Sequence, residues 1–223
     1  MKPHTIDLVN KQGLRFFGSV NASISHELKN IFAIISETAG FLNDLTQLSK
    51  QGKPFDLSLL ENCSNSIAEE IERGFDTIRQ MNQFAHSVDD PVRETSIADT
   101  LTLALKLTGF LSFAKKAHLD ETAADTTVFT SPFLFQTLIY KIFSALYRAL
   151  DVKDELTVTF HDTTPSVIFI HFSHNQPADL DYFPDPQTAE IADVLKATIK
   201  ITNTDLELTV PLKNEDLESA ATD

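Results

Sequence analysis

No glycine follows Gly109 in this 223-residue chain, and only six occur in all. The second half therefore cannot form the glycine-rich loops whose backbone N–H groups closely approach phosphates. Cysteine is confined to Cys63, which excludes an intrachain disulfide and fits a reducing compartment. Its place near a helical apolar stripe marks it as buried filler rather than a reactive thiol. Basic residues are scarce: 18 Lys and Arg stand against 32 Asp and Glu, a net charge of −14. Such an acidic surface repels nucleic acid and argues against a DNA or RNA partner. Nowhere do about 18 consecutive apolar residues occur, so no membrane-spanning helix is expected. The opening MKPHTIDLVNKQ lacks the apolar core of a signal peptide. The expected location is cytoplasmic, and no membrane partner is expected. The length suits two small domains or one medium one.

Helical periodicity fills the first part. At seven-residue spacing Leu14, Asn21, Leu28, Ile35 and Leu42 form one line, and Phe17, Ile24, Ile31, Thr38 and Leu45 a second beside it. Paired lines of this kind are the seam of a helix that packs in a bundle. The pattern predicts a helix over 13–48, ended by a turn at Ser49, Gly52 and Pro54. A second helix is predicted over 56–88 with Asp56 as N-cap. Its stripe reads Leu60, Ser64, Ile67, Ile71, Gly74, Ile78, Met81, Ala85 and Val88. The two helices should form an antiparallel hairpin. One hairpin cannot bury both faces of its seam, so two hairpins pairing as a four-helix bundle is the expected outcome. At 100° per residue His26 lies opposite the midpoint of Ile24 and Leu28 and should face water. Glu27 follows it, and Asn30 sits one turn on along the same surface. An exposed imidazole flanked by a carboxylate and an amide suits a phosphoryl acceptor or a general base.

Asp89-Asp90-Pro91 reads as a linker, after which the pattern becomes mixed α/β. Helices are expected over 97–115, from Pro132 onward, and over 189–196. Strands are expected at 126–129, 156–160, 167–172, 197–202 and 206–212. The acidic tail beyond 212 should be loose. Among weaker signals, His171 and His174 are three apart on a strand end, where period-two geometry separates them, so no metal site is expected. His86, His118 and His161 have no partners at diagnostic spacing. Phe110, Phe113, Phe129, Phe133, Phe135 and Phe143 read as core.

The run Ser25-His26-Glu27-Leu28-Lys29-Asn30 resembles the phospho-acceptor box of sensor histidine kinases. That pattern is a histidine, an acidic residue, an apolar residue, Lys or Arg, then Asn or Thr. The resemblance implies that His26 is phosphorylated and exchanges its phosphoryl group with an aspartate of a response-regulator receiver domain. It implies that Glu27 orients the ring and takes its proton. Asn30 would occupy the position that orients water in phosphatase-competent members. Lys29, Ala33 and Glu37, exposed beyond His26, would meet the receiver's first helix. Many members have Pro after the Asn or Thr; here Ile31 stands there, so the helix should run straight past the site.

The second part resembles the ATP-binding domain of the same kinases in element order, without its nucleotide chemistry. The family's two asparagine-box positions become Lys141 and Ala145, and Ala145 has no oxygen for Mg²⁺. The adenine-binding Asp-x-Gly-x-Gly turn becomes Ser173-His174-Asn175-Gln176-Pro177, and 181–186 replaces the ATP lid. The expected architecture is α plus α/β. A long antiparallel helical hairpin, 1–88, forms a dimeric four-helix bundle. A degenerate kinase ATPase-like α/β sandwich, 92–212, follows, and then the tail 213–223. The resemblance implies a stand-alone histidine phosphotransferase of a two-component phosphorelay, a homodimer that binds no ATP or other cofactor, with Mg²⁺ supplied by the receiver. Two other readings stay open: a functioning kinase with a divergent ATP site, and a non-catalytic scaffold that binds receivers.

Overall fold

The computed structural model describes residues 3–54, 56–109, 116–120, 126–151, 153–164 and 166–214, with side chains left out at 3–12, 116 and 162–164. Helix α1 spans Pro3–Lys50 without a break at Ile31, where the absence of a proline leaves the hydrogen-bond ladder intact. It begins nearly three turns before the periodic pattern does, because the opening residues carry no sustained apolar stripe to announce a helix. Helix α2 spans Leu57–Ala85. Gly52, at φ 78°, makes the turn between them. Asp56 caps α2, its Oδ1 accepting the Ser58 N–H at 2.9 Å. That backbone bond, with the Ser58 side chain, holds the Asp56 carboxyl below its usual range.

The chain falls into two compact units: Ser19–Asn82, and Met1–Gly18 together with Gln83–Asp223. Within Ser19–Asn82, Val20, Ile24, Ile31 and Leu45 of α1 and Cys63 and Thr77 of α2 are buried. Asn21, Leu28, Ile35 and Leu42, the other seam line, are only half-buried. The two helices approach closely at one level, where a Cβ added to Gly74 would lie 3.7 Å from Ile31. The expected stripe of α2 is largely turned outward: Leu60, Ile71, Ile78 and Met81 are exposed, along with Phe75. The column facing α1 is Cys63, Ile67, Glu70, Gly74 and Thr77, which keeps Ile67 and Gly74 of the expected stripe. A helix with one partner buries one column, and the more apolar column of α2 is the one left free.

The second unit has its own core. Leu14, expected in the seam, is 75% exposed, while Phe16, outside both lines, is buried. The Phe16 ring meets Phe84 at 5.2 Å and Tyr140 at 4.9 Å between centroids, both edge-on. A Cβ on Gly13 would come within 2.9 Å of the Phe133 ring, so this approach needs a glycine or a shifted ring. These aromatic contacts, worth about 0.5–1.5 kcal/mol each beyond their buried area, decide the rotation of α1 here. A short 3₁₀ turn, His86–Val88, leads into β1 (Arg93–Ser96) and α3 (Ile97–Thr108). Then follow β2 (Lys116–Leu119), β3 (Thr127–Thr130), α4 (Pro132–Ala149), β4 (Glu155–Thr164), β5 (Val167–His174), α5 (Pro186–Leu195), β6 (Thr198–Ile201) and β7 (Asp205–Pro211).

β1 pairs antiparallel with β3, and the other strands form a sheet in the order β2-β4-β5-β7-β6. β2 runs parallel to β4, and the remaining neighbours are antiparallel. Neither β1 nor β2 was expected. The last residues of the expected third helix, 110–115, with Phe110 and Phe113, lie outside the described residues, as does the tail from 215.

Strand alternation turns Leu156, Val158, Phe160, Ile168, Ile170, Phe172, Leu206, Leu208 and Val210 inward, all at most 1% exposed. They join Leu138, Ile142, Phe143 and Leu146 of α4 and residues of α3 and α5 in one cluster, a sheet covered by helices on one face. Phe135 and Phe143 are fully buried, and Phe129 and Phe133 partly so. Tyr147 stacks on Phe143, and burial pushes its phenol up to about 12, so it stays neutral.

Candidate functional site

The site is built on the middle turns of α1. His26 is exposed, as are Lys29, Asn30, Ala33 and Glu37. The amide nitrogen of Asn30 lies 3.3 Å from His26 Nδ1, so the residue one turn along holds the ring. As placed, the amide N–H donates to Nδ1; with the amide turned over to accept, the proton sits on Nδ1 and the lone pair on Nε2.

Glu27 is engaged elsewhere. Its Oε1 accepts from Arg73 Nε at 3.0 Å and from Arg73 Nη2 at 2.9 Å. Arg73 Nη1 donates in turn to Glu70 Oε1 at 2.8 Å. No hydrogen bond joins Glu27 to His26 among the described residues. The expected ring-orienting contact is thus made by Asn30, because α2 offers Glu27 a guanidinium on the flank where it emerges. Local sequence could not reveal Arg73, which is 46 positions from Glu27 and lies among the charged residues Glu69, Glu70 and Glu72. Phe32 also escaped notice; it is 64% exposed on the same helix.

In the other unit, Lys141 and Ala145 stand on α4. Lys141 Nζ lies 3.5 Å from Asp185 Oδ2. Asp185 also caps α5, its Oδ1 accepting the Thr188 N–H at 2.7 Å. Burial alone would raise the Asp185 carboxyl, but the Thr188 N–H, Lys141 and the Thr188 hydroxyl outweigh it and hold it below its usual value. A carboxyl depressed in the folded state adds stability above its unfolded pKa and loses it as pH falls through the folded value. Asp185→Ala should therefore cost about 1 kcal/mol near neutrality, mostly as a lost cap. The gap from wild type should narrow as pH falls below the ordinary carboxylate range, where the native carboxyl protonates. Thermal unfolding of both proteins across that range checks it.

Ala145 is half-buried against the core. The replacement for the adenine turn brings together His174, buried, and the Gln176 carbonyl, which it contacts through Nδ1. His171 and His174 do fall on opposite sheet faces. His161, expected alone, is brought beside His171 by sheet register, with ring centroids 5.1 Å apart and planes 2° apart. His171 Nε2 lies 3.7 Å from Glu207 Oε2. His86, also expected alone, meets Asp89 Oδ2 at 2.6 Å. No group of three or more metal-ligating side chains converges among the described residues. No helix among them is long and apolar enough to cross a membrane.

No protein-family model matches the sequence, and no curated protein matches it. Among solved structures, the chain is similar to the Acinetobacter baumannii histidine kinase AdeS, at 15% identity over 85% of this chain and 98% of that one, TM-score 0.46. It is similar to the catalytic domain of histidine kinase ThkA, at 8% identity over 55% of this chain and 97% of that one, TM-score 0.46. It is also similar to the cytoplasmic segment of histidine kinase QseC, at 14% identity over 63% of this chain and 93% of that one, TM-score 0.41.

Proposed function

We propose that this chain is a histidine phosphotransferase of a two-component phosphorelay, carrying a phosphoryl group on His26 between receiver-domain aspartates. The observation that carries this reading is the outward-facing imidazole on an unbroken helix, with Asn30 on its Nδ1 edge. In the forward step the Nε2 lone pair attacks phosphorus of a receiver's aspartyl phosphate. The N–P bond forms as the P–O bond breaks, and its electron pair leaves with the aspartate carboxylate. The receiver brings its own Mg²⁺ and acidic residues, so the carrier has only to present and orient the nucleophile. Lys29, Ala33 and Glu37, exposed on the same helix, form the receiver-binding surface.

The second domain is read as a degenerate ATP-binding-like module that binds no nucleotide. Ala145 stands where an amide would ligate a metal and offers no oxygen, and Lys141, at the other box position, is tied to Asp185. The absence of glycine after Gly109 removes phosphate cradling by backbone. The protein acts as a homodimer, its second copy covering the outward apolar residues of the hairpin.

The test supplies radiolabelled phosphate by two routes. Label should reach His26 from a phosphorylated receiver and should not appear with Mg-ATP alone. Labelling by ATP alone would replace the proposal with a functioning kinase. Receiver binding without labelling by either route would leave a non-catalytic scaffold.

A further inference from the structure

Arg73 occupies an unusual place for a surface cation. Its guanidinium contacts Glu27 through Nε and Nη2 and Glu70 through Nη1, bridging α1 and α2. Its anchor on α2 is a sheltered one: the Glu70 side chain is only 14% exposed. Around α1, Asn30 lies about 40° from His26 and Glu27 about 100° from it in the same rotational sense. His26, Asn30, Glu27 and Arg73 thus follow one another around a single flank of the hairpin. Two guanidinium donors converging on the single oxygen Glu27 Oε1 direct the carboxylate as well as neutralising it, which a lysine point charge does not.

Resting on the phosphotransferase reading, we infer that Arg73 is a positioning residue that acts on phosphoryl transfer through Glu27. Transfer brings a dianionic phosphoryl group and the receiver's carboxylates to His26. A free Glu27 carboxylate on the next residue would repel them and swing among rotamers. Arg73 holds it at one place on the α2 side and cancels its charge. The proton and bond changes at His26 are unaltered by this role; Arg73 touches no reacting atom.

The experiment measures single-turnover transfer from a phosphorylated receiver at varied receiver concentration, so that rate and half-saturation separate. Wild type must first transfer to His26; without that, the phosphotransferase reading itself fails. Arg73→Gln should slow transfer about tenfold, and Arg73→Lys should fall between it and wild type. In a Glu27→Gln background, Arg73→Gln should change transfer less than twofold, since the group it acts through is gone. Because Arg73→Gln strands the Glu70 charge, the pair Arg73→Gln with Glu70→Gln is measured as well, beside thermal unfolding. This pair should keep the tenfold loss with near-native unfolding. An equal Arg73→Gln effect with and without Glu27, or recovery of full transfer in the Glu70 pair, would overturn the inference.

Discussion

A His26→Gln protein should bind receivers as wild type does and carry no phosphoryl group. Glutamine approximates the size and polarity of the imidazole but has no nucleophilic ring nitrogen, so the loss of transfer should be complete rather than graded. His26 is exposed, and a polar replacement there should leave stability within about 0.5 kcal/mol. Ala33→Arg should do the reverse. Ala33 lies nearly two turns along from His26 and is exposed, so a large side chain fits the free protein. It would block a receiver helix, weakening docking on the order of tenfold, about 1.4 kcal/mol. Receiver affinity and label transfer, measured on both variants, separate the two effects. Transfer surviving in the His26 variant, or undiminished docking by the Ala33 variant, would contradict the site.

Ile71→Glu with Ile78→Glu should convert a dimer to a monomer. Both isoleucines are on α2 and are 46% and 44% exposed in the single chain. With Phe75 at 56% on the same helix, they are too much outward apolar surface for an isolated hairpin. Covering a large aliphatic side chain stabilises by roughly 1.5–3 kcal/mol, and a two-fold interface counts each position twice. Four buried glutamates in place of four isoleucines should therefore abolish association at micromolar concentration. Because neither residue supports the fold of the single chain, circular dichroism should remain helical. Light scattering on wild type and variant decides it, and a monomeric wild type at micromolar concentration would sink the idea.

Much of the architecture was readable along the chain. The hairpin follows from seven-residue spacing, and β4, β5 and β7 from alternating Val, Ile, Phe and Leu. Those signals are local, each written within one element. β1 and β2 have four residues apiece, too few to display a period, and exist because β3 and β4 offer them hydrogen-bonding edges. At the site, the exposure of His26 and the nearness of Asn30 follow from helix geometry alone. Arg73 does not, because its nearness to Glu27 exists only once α2 has folded back.

Periodicity also established that both α1 and α2 carry apolar columns, but not which column meets which partner. Packing made that choice. In α2 the modest column Cys63, Ile67, Gly74 and Thr77 faces α1, since small residues let the two backbones approach, while Ile71 and Ile78 point away. In α1, aromatic contacts of Phe16 with Phe84 and Tyr140 drew that residue inward and left Leu14 in solvent. Hydrophobicity is non-directional: it marks which residues leave water, while shape and the available neighbours select where they go.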